Sequence, residues 1–420
     1  CTLGFADDTA PVRVSTFDLD VTPPVGSMMA YDPVRLHDEL GLRCRGIVIS
    51  GSGKPIVLCA VDWIGIANEA HDAFRDVLSR AAGTTPDRVA VHCLHQHDAP
   101  RCDFTAERIL HHSGATDLGP FESSFQKTTL KQLDQAVKAG LTGAQEITHA
   151  GFGSALVQKV ASNRRLLGPD GLVRATRYTT CRDAAMRAEP EGTIDPELNC
   201  VVLYNQQRPV VSMTYYACHP QSYYRTGIPS PDFPGIARIM RSQDSPETIH
   251  IHFNGAGGNI GAGKYNDGDK ANRLILASRV ADAMERAFED ARPFPIDADS
   301  VDWRTVSVAL PPAPHLKVDE LEAKLASGSA AERQSASADL AWLNRCQSGH
   351  QILLGCLALD RVRVLHMPGE LFVEYQLLAK EMQTDLRVAM AAYGDYGPGY
   401  IGTEIAYGQG GYETSQRASR

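Results

Sequence analysis

Along this chain, short apolar runs pass again and again into polar, glycine-rich stretches. "LRCRGIVISG" and "PIVLCAVD" are two apolar runs of strand length around a turn at residues 51–55, and they predict a β-hairpin. "NEAHDAFRDVLSRAAG" changes to the helical period. "RVAVHCLHQHDAP" then reads as a strand running into a loop. "PVVSMTYYACHP", "TIHIHFNGAGGN" and "DRVRVLHMPGE" repeat that form, the last before the helix-like "LFVEYQLLAKEMQ". A further helix is expected from near Lys270, with Leu274, Leu276, Ala277, Val280, Met284 and Phe288 on its apolar face. Residues 317–346 read as a helical excursion on the surface, a hairpin broken at Gly328. Neither an internal repeat nor a low-complexity tract is visible. Strand–helix alternation with polar residues gathered at strand ends predicts an α/β fold, a single large domain of mixed β-sheets flanked by helices, with its chemistry at those ends.

Composition narrows the function. The 420 residues are 43% hydrophobic and 22% charged, as in an ordinary globular protein. With 41 basic and 50 acidic residues the net charge is −9, and there is no Lys/Arg-rich block, so a nucleic-acid partner is not expected. No apolar run has membrane-spanning length. The start, "CTLGFADD", reads as the tail of an export signal or as a lipidated Cys1, so residues 1–10 are assigned to a residual signal or flexible N-terminus and 11–420 to the domain. A periplasmic or extracellular location follows from that reading. The ten cysteines form no CxxC pair.

Several stretches could carry chemistry. "GNIGAGKY" (258–265) approaches a P-loop, but Tyr265 stands where Ser or Thr must hold magnesium, and the helix after it begins too late to offer its N-terminus to phosphates. In "HCLHQHDAP", His95 and His97 would share one side of a strand and present two imidazoles to a metal. The metallo-β-lactamase pattern HxHxDH fits poorly, because Asp98 comes one place early and Pro100 replaces the last His. His219 follows an apolar strand, and Glu370 lies in a Pro-Gly turn before a helix. Each alone has an ordinary structural explanation; together, three N/O ligands from separate loops have the composition of a catalytic zinc site.

The stretches "HQHDAP", "SNRR", "YYACHPQS", "SPDFPG", "NGAGGN", "MPGE" and "YIGTEIAYGQGGYE" occur in this order from about residue 14 to residue 413. In order and separation the set resembles the neutral/alkaline ceramidase family, especially its shorter bacterial members. The resemblance implies a zinc held by His95, His219, Glu370 and Tyr400. It implies functional roles for His97, for Arg164 of "SNRR" and for Tyr412, which lies twelve places after Tyr400. It further implies a hydrolase in which a zinc-activated water attacks an amide (N-acyl) bond of a small-molecule, lipid or glycan-type substrate.

Two departures qualify this. The family's loop serine corresponds to Gly261, which has no side chain to attack, and Asp98 stands where the family has Ser, to act as a base, to orient His97 or to cap a turn. A zinc hydrolase of a glycan or other polar conjugate, and a non-catalytic binding homologue, are the alternatives. The family's C-terminal immunoglobulin-like domain is expected to be absent.

Overall fold

The computed structural model describes residues 11–420, so the reading of residues 1–10 lies outside it. Three sheets form its frame, and one arrangement of strands occurs in all three. In the first, Arg13–Asp20, Arg43–Ser50 and Ile56–Val61 run antiparallel in sequence order; the helix Glu69–Ala82 then crosses over, and Val89–Cys93 returns parallel to Ile56–Val61. The second sheet does the same with His149–Leu156, Glu197–Asn205 and Arg208–Tyr216, the helix Asp232–Asp244, and Ile249–Asn254 parallel to Arg208–Tyr216. The third uses Val301–Val308, Ile352–Leu359 and Val362–His366, the helix Val373–Met382, and Arg387–Ala391 parallel to Val362–His366. Short edge strands, Gln145–Glu146 and Arg292–Pro295, extend the first two sheets. The repeat absent from the sequence is therefore present in the topology.

Alternation along each strand explains how the sheets pack. Ile47, Leu58, Val201, Met213, Leu357 and Val364 point inwards and meet in one core shared by all three sheets. Their neighbours face the other way. Val48 and Val57 lie under Phe74 and Leu78 of the first crossover helix, and Cys200 and Val202 under Phe233, Leu276 and Val280. Strands covered on both faces need continuous apolar runs, which is why Ile56–Val61 is buried at every position. A buried bidentate ion pair, Arg238 to both carboxylate oxygens of Asp62 at 2.7 and 2.6 Å, ties the second crossover helix to the end of a strand in the first sheet.

The helix Asn272–Asp290 starts close to its expected place. Its buried face carries Leu276, Ala277, Val280 and Met284, whereas Leu274, expected there, is 63% exposed. The hairpin of Val318–Ser327 and Ala330–Gln347 does break at Gly328. It is more than a surface excursion, because Trp342 is buried and the second helix reaches the site described next. All nine described cysteines are free thiols. No helix among the described residues is long and apolar enough to cross a membrane.

Candidate metal centre and catalytic pocket

Each parallel strand pair ends, at its carboxyl side, in loops that converge between the three sheets. The sheets are stitched together there: the Cys93 amide donates to the Tyr393 carbonyl (2.9 Å) and the Ala392 amide to the Asn254 carbonyl (2.8 Å). The first sheet supplies His95 and His97, the second His219, and the third Glu370 and then Tyr393, Tyr396 and Tyr400.

The HxH pair reaches this point differently from the strand-based expectation. The strand stops at Cys93, and His95 sits at φ +71°, the left-handed region seldom used by a residue with a side chain. The surroundings hold it there. Its amide donates to the Trp63 carbonyl (2.9 Å), its ring stacks on Tyr393 with centroids 4.5 Å apart, and its Nδ1 donates to the Ile64 carbonyl at 2.5 Å. With Nδ1 as the donor, the neutral form of the ring carries its lone pair on Nε2. That nitrogen lies 3.3 Å from Glu370 Oε2, and His219 Nδ1 lies 3.7 Å from the same oxygen. Both residues are buried, and neither Glu370 Oε2 nor His219 Nδ1 has a hydrogen-bond partner.

A metal cation would suit such an arrangement. A buried carboxylate oxygen facing a lone pair is repelled by it, and two unpaired buried acceptors are costly. Donor atoms around a tetrahedral zinc at its usual bond lengths stand about 3.3 Å apart, close to the separations here. The donor set therefore fits a metal ion. Ring nitrogens of His95, His97 and His219 lie within 4.8 Å of one another and could also hold a metal. His97 meets His219 through Nε2 on both rings, 3.1 Å apart. If His219 Nδ1 faces the metal, its Nε2 carries the proton and donates to His97.

The other residues named from sequence also meet here. Tyr400 pairs in register with Glu370 through the short strands Glu370–Leu371 and Tyr400–Ile401. Arg164 is buried, donates to the Tyr400 hydroxyl (3.2 Å) and stands 5.7, 5.9 and 5.6 Å from the rings of Tyr178, Tyr400 and Tyr412. Asp98 does not join them. It accepts from the amides of Arg225 and Thr226 and from the Thr226 hydroxyl, so of its three expected roles the turn cap is the one observed. Lys264 of the P-loop-like stretch donates instead to the carbonyls of Arg187, Ala188 and Glu189.

Three groups escaped the sequence reading. Glu413 is fully buried and ion-pairs with Arg164 Nε at 3.2 Å and Arg165 at 3.5 Å. Tyr396 donates to Glu370 Oε1 at 2.6 Å. Tyr393 forms the floor under His95. Glu413 closes the last quoted motif, and the tyrosines lie in "YGDYGPGY", but neither stretch has a periodic pattern to single them out.

Electrostatics divide the site. Burial, helped by the charge of Arg164, pushes the pKa values of His97 and His219 well below the usual histidine range. Burial would raise the Glu370 carboxyl, and the hydrogen bonds it accepts from Tyr396 and Tyr400 oppose that rise. Burial lifts the Tyr400 phenol well above its ordinary value in spite of Arg164. The neutral imidazoles of His97 and His219, the Glu370 carboxyl and the intact Tyr400 phenol thus surround one point at the bottom of a cavity of about 220 Å³.

No protein-family model matches the sequence, and no curated protein does. Among solved structures, the fold is similar to that of a neutral ceramidase from Pseudomonas aeruginosa: TM-score 0.69, 16% identity, 97% of this chain and 71% of that one. A ceramidase complexed with C2 is similar to the same degree, with TM-score 0.69, 15% identity, and 98% and 72% of the two chains covered. The chain therefore has the neutral ceramidase fold over nearly all of its length.

Proposed function

We propose that this protein is a zinc-dependent hydrolase of an amide (N-acyl) bond and a member of the neutral ceramidase family. The observation that carries the reading is Glu370 Oε2, buried without a partner between His95 Nε2 and His219 Nδ1. His95, His219 and Glu370 would hold the ion, with the Tyr400 hydroxyl beside them. Zinc so bound lowers the pKa of water towards about 7 and polarises a carbonyl.

The chain's own residues do the rest. The Ile64 carbonyl and Tyr396 fix His95 and Glu370, as partners of metal ligands commonly do. Arg164, fixed by Glu413 and by three aromatic rings, stands where it can steady a developing oxyanion, and Tyr412 beside it can donate a hydrogen bond. His97 is neutral, holds a lone pair on Nε2 opposite His219, and is suited to carry a proton to the leaving amine. Gly261 supplies no nucleophile, so no acyl-enzyme forms through that position.

The test is the metal content of the purified protein beside that of Glu370→Ala, with hydrolysis of short N-acyl amides measured on both. About one zinc per chain in the parent, lost together with activity in the folded variant, is the expected result. Equal metal content and turnover in the two proteins would overturn the reading. Zinc without turnover of any amide, ester or glycoside would identify a binding homologue.

A further inference from the structure

The walls of the cavity above the metal ligands are polar. They are lined by Tyr31, Arg101, Ser335, Asp339, Arg417 and Arg420 besides the site residues and, among the described residues, by no Leu, Ile, Val, Met or Phe side chain. A ceramide carries two long hydrocarbon chains, and such a wall gives them nothing to be buried against.

The cations at the rim differ in their commitments. Arg420 is paired with Asp339 at 3.0 Å. Arg101 forms no ion pair with any described residue, its Nε is buried without a hydrogen-bond partner, and its guanidinium lies 5.7 Å from the Phe121 ring. Its charge is felt at His97 and Tyr396 on the site wall. Arg417, exposed at the mouth, also lacks an ion pair among the described residues. On a chain of net charge −9, a mouth with two uncommitted guanidiniums draws in anions. The planar fork of a guanidinium suits an oxyanion, carboxylate or phosphate, which it can grip through two parallel bonds.

We propose that the site takes small N-acyl substrates that carry an oxyanion, gripped by Arg101 with Arg417 at the rim, rather than a two-chain lipid. The proposal rests on the amide-hydrolase reading above. It is tested with the zinc-loaded protein on four compounds: N-butanoyl-β-alanine, its phosphonate analogue, its carboxamide, and a short-chain ceramide. The acids should exceed the carboxamide in kcat/KM by about tenfold or more, and Arg101→Gln should reduce that ratio to about threefold or less with zinc content unchanged. Faster turnover of the phosphonate than of the carboxylate would assign the natural ligand to the phosphate class, and the reverse to carboxylates.

Should Arg101→Gln fold poorly, the surface variant Arg417→Gln should lower the same ratio. Turnover of the carboxamide or the ceramide as fast as the acids, or a preference that survives both substitutions, overturns the proposal. If none of the four is hydrolysed, the amide reading is what fails, and calorimetric binding of the same compounds decides the anion question. Binding of the acids weakened by Arg101→Gln supports the proposal; equal affinity for acids and carboxamide, or no binding at all, overturns it.

Discussion

Gly261 occupies a place that its neighbours have closed. A Cβ built there would lie 2.9 Å from Thr179 Cγ2 and 3.4 Å from Cγ and Cδ of Arg164. A serine here, as the resemblance led one to expect, would need space that is taken by Thr179 and by the side chain that faces Tyr400. Gly261→Ser is expected to destabilise the fold by about 1–3 kcal/mol in chemical denaturation, and Thr179→Ser in the same background to recover most of the loss. A serine variant as stable as the parent would show that the loop gives way freely. His95, His219 and Glu370 could be picked out from sequence because each follows an apolar run with an abrupt polar residue. Glu413 and Tyr396 could not, since a buried charge or an aromatic in a glycine-rich loop leaves no trace until its partner is known.

At the level of elements, the helical hairpin shows how much a pattern conveys. Its break was legible at Gly328, and Ser329 with Glu332 forms the capping box that starts the second helix. Its place against the site was not legible. That depends on Trp342, which anchors the helix in a small apolar cluster with Leu110, Phe121 and Leu321, and on Ser335 and Asp339, which the same helix presents to the cavity. Trp342→Ala should cost about 3–5 kcal/mol of stability and, in protein still folded, raise KM more than it lowers kcat. An unchanged KM would mean that the helix holds its place without that anchor. The misplacement of Leu274 has a related cause: near a helix end, both it and Ile275 fit an apolar stripe, and only the packing against the second sheet decides that both face solvent.

For the whole molecule, the strand-into-loop pattern conveyed an α/β fold with chemistry at strand ends, but the threefold recurrence is a matter of pairing order and has no counterpart in residue identity. The packed sheets also set how the protein meets acid. Burial brings His92 and His252 down to about 3, and burial with Arg241 brings His250 to about 4. These folded values lie below the unfolded value of about 6.5, so the unfolded chain takes up protons first. The stability they represent is complete above about pH 6.5 and is lost as the pH falls from there towards 4 and 3. The Tm should therefore decline on acidification from pH 8 to 5, and less steeply in His250→Gln. A Tm constant over that range would count against these histidines as the acid-sensitive groups.

The meeting of three sheets at one point has a further consequence, one of mass action. His95, His219 and Glu370 come one from each sheet, so no part of the chain short of all three offers the full set of donors. Whatever they grip is a ligand of the assembled molecule alone, and its free energy of binding is added to the folding of all three units at once. At a free ion concentration a hundred times Kd, that amounts to about 2.7 kcal/mol.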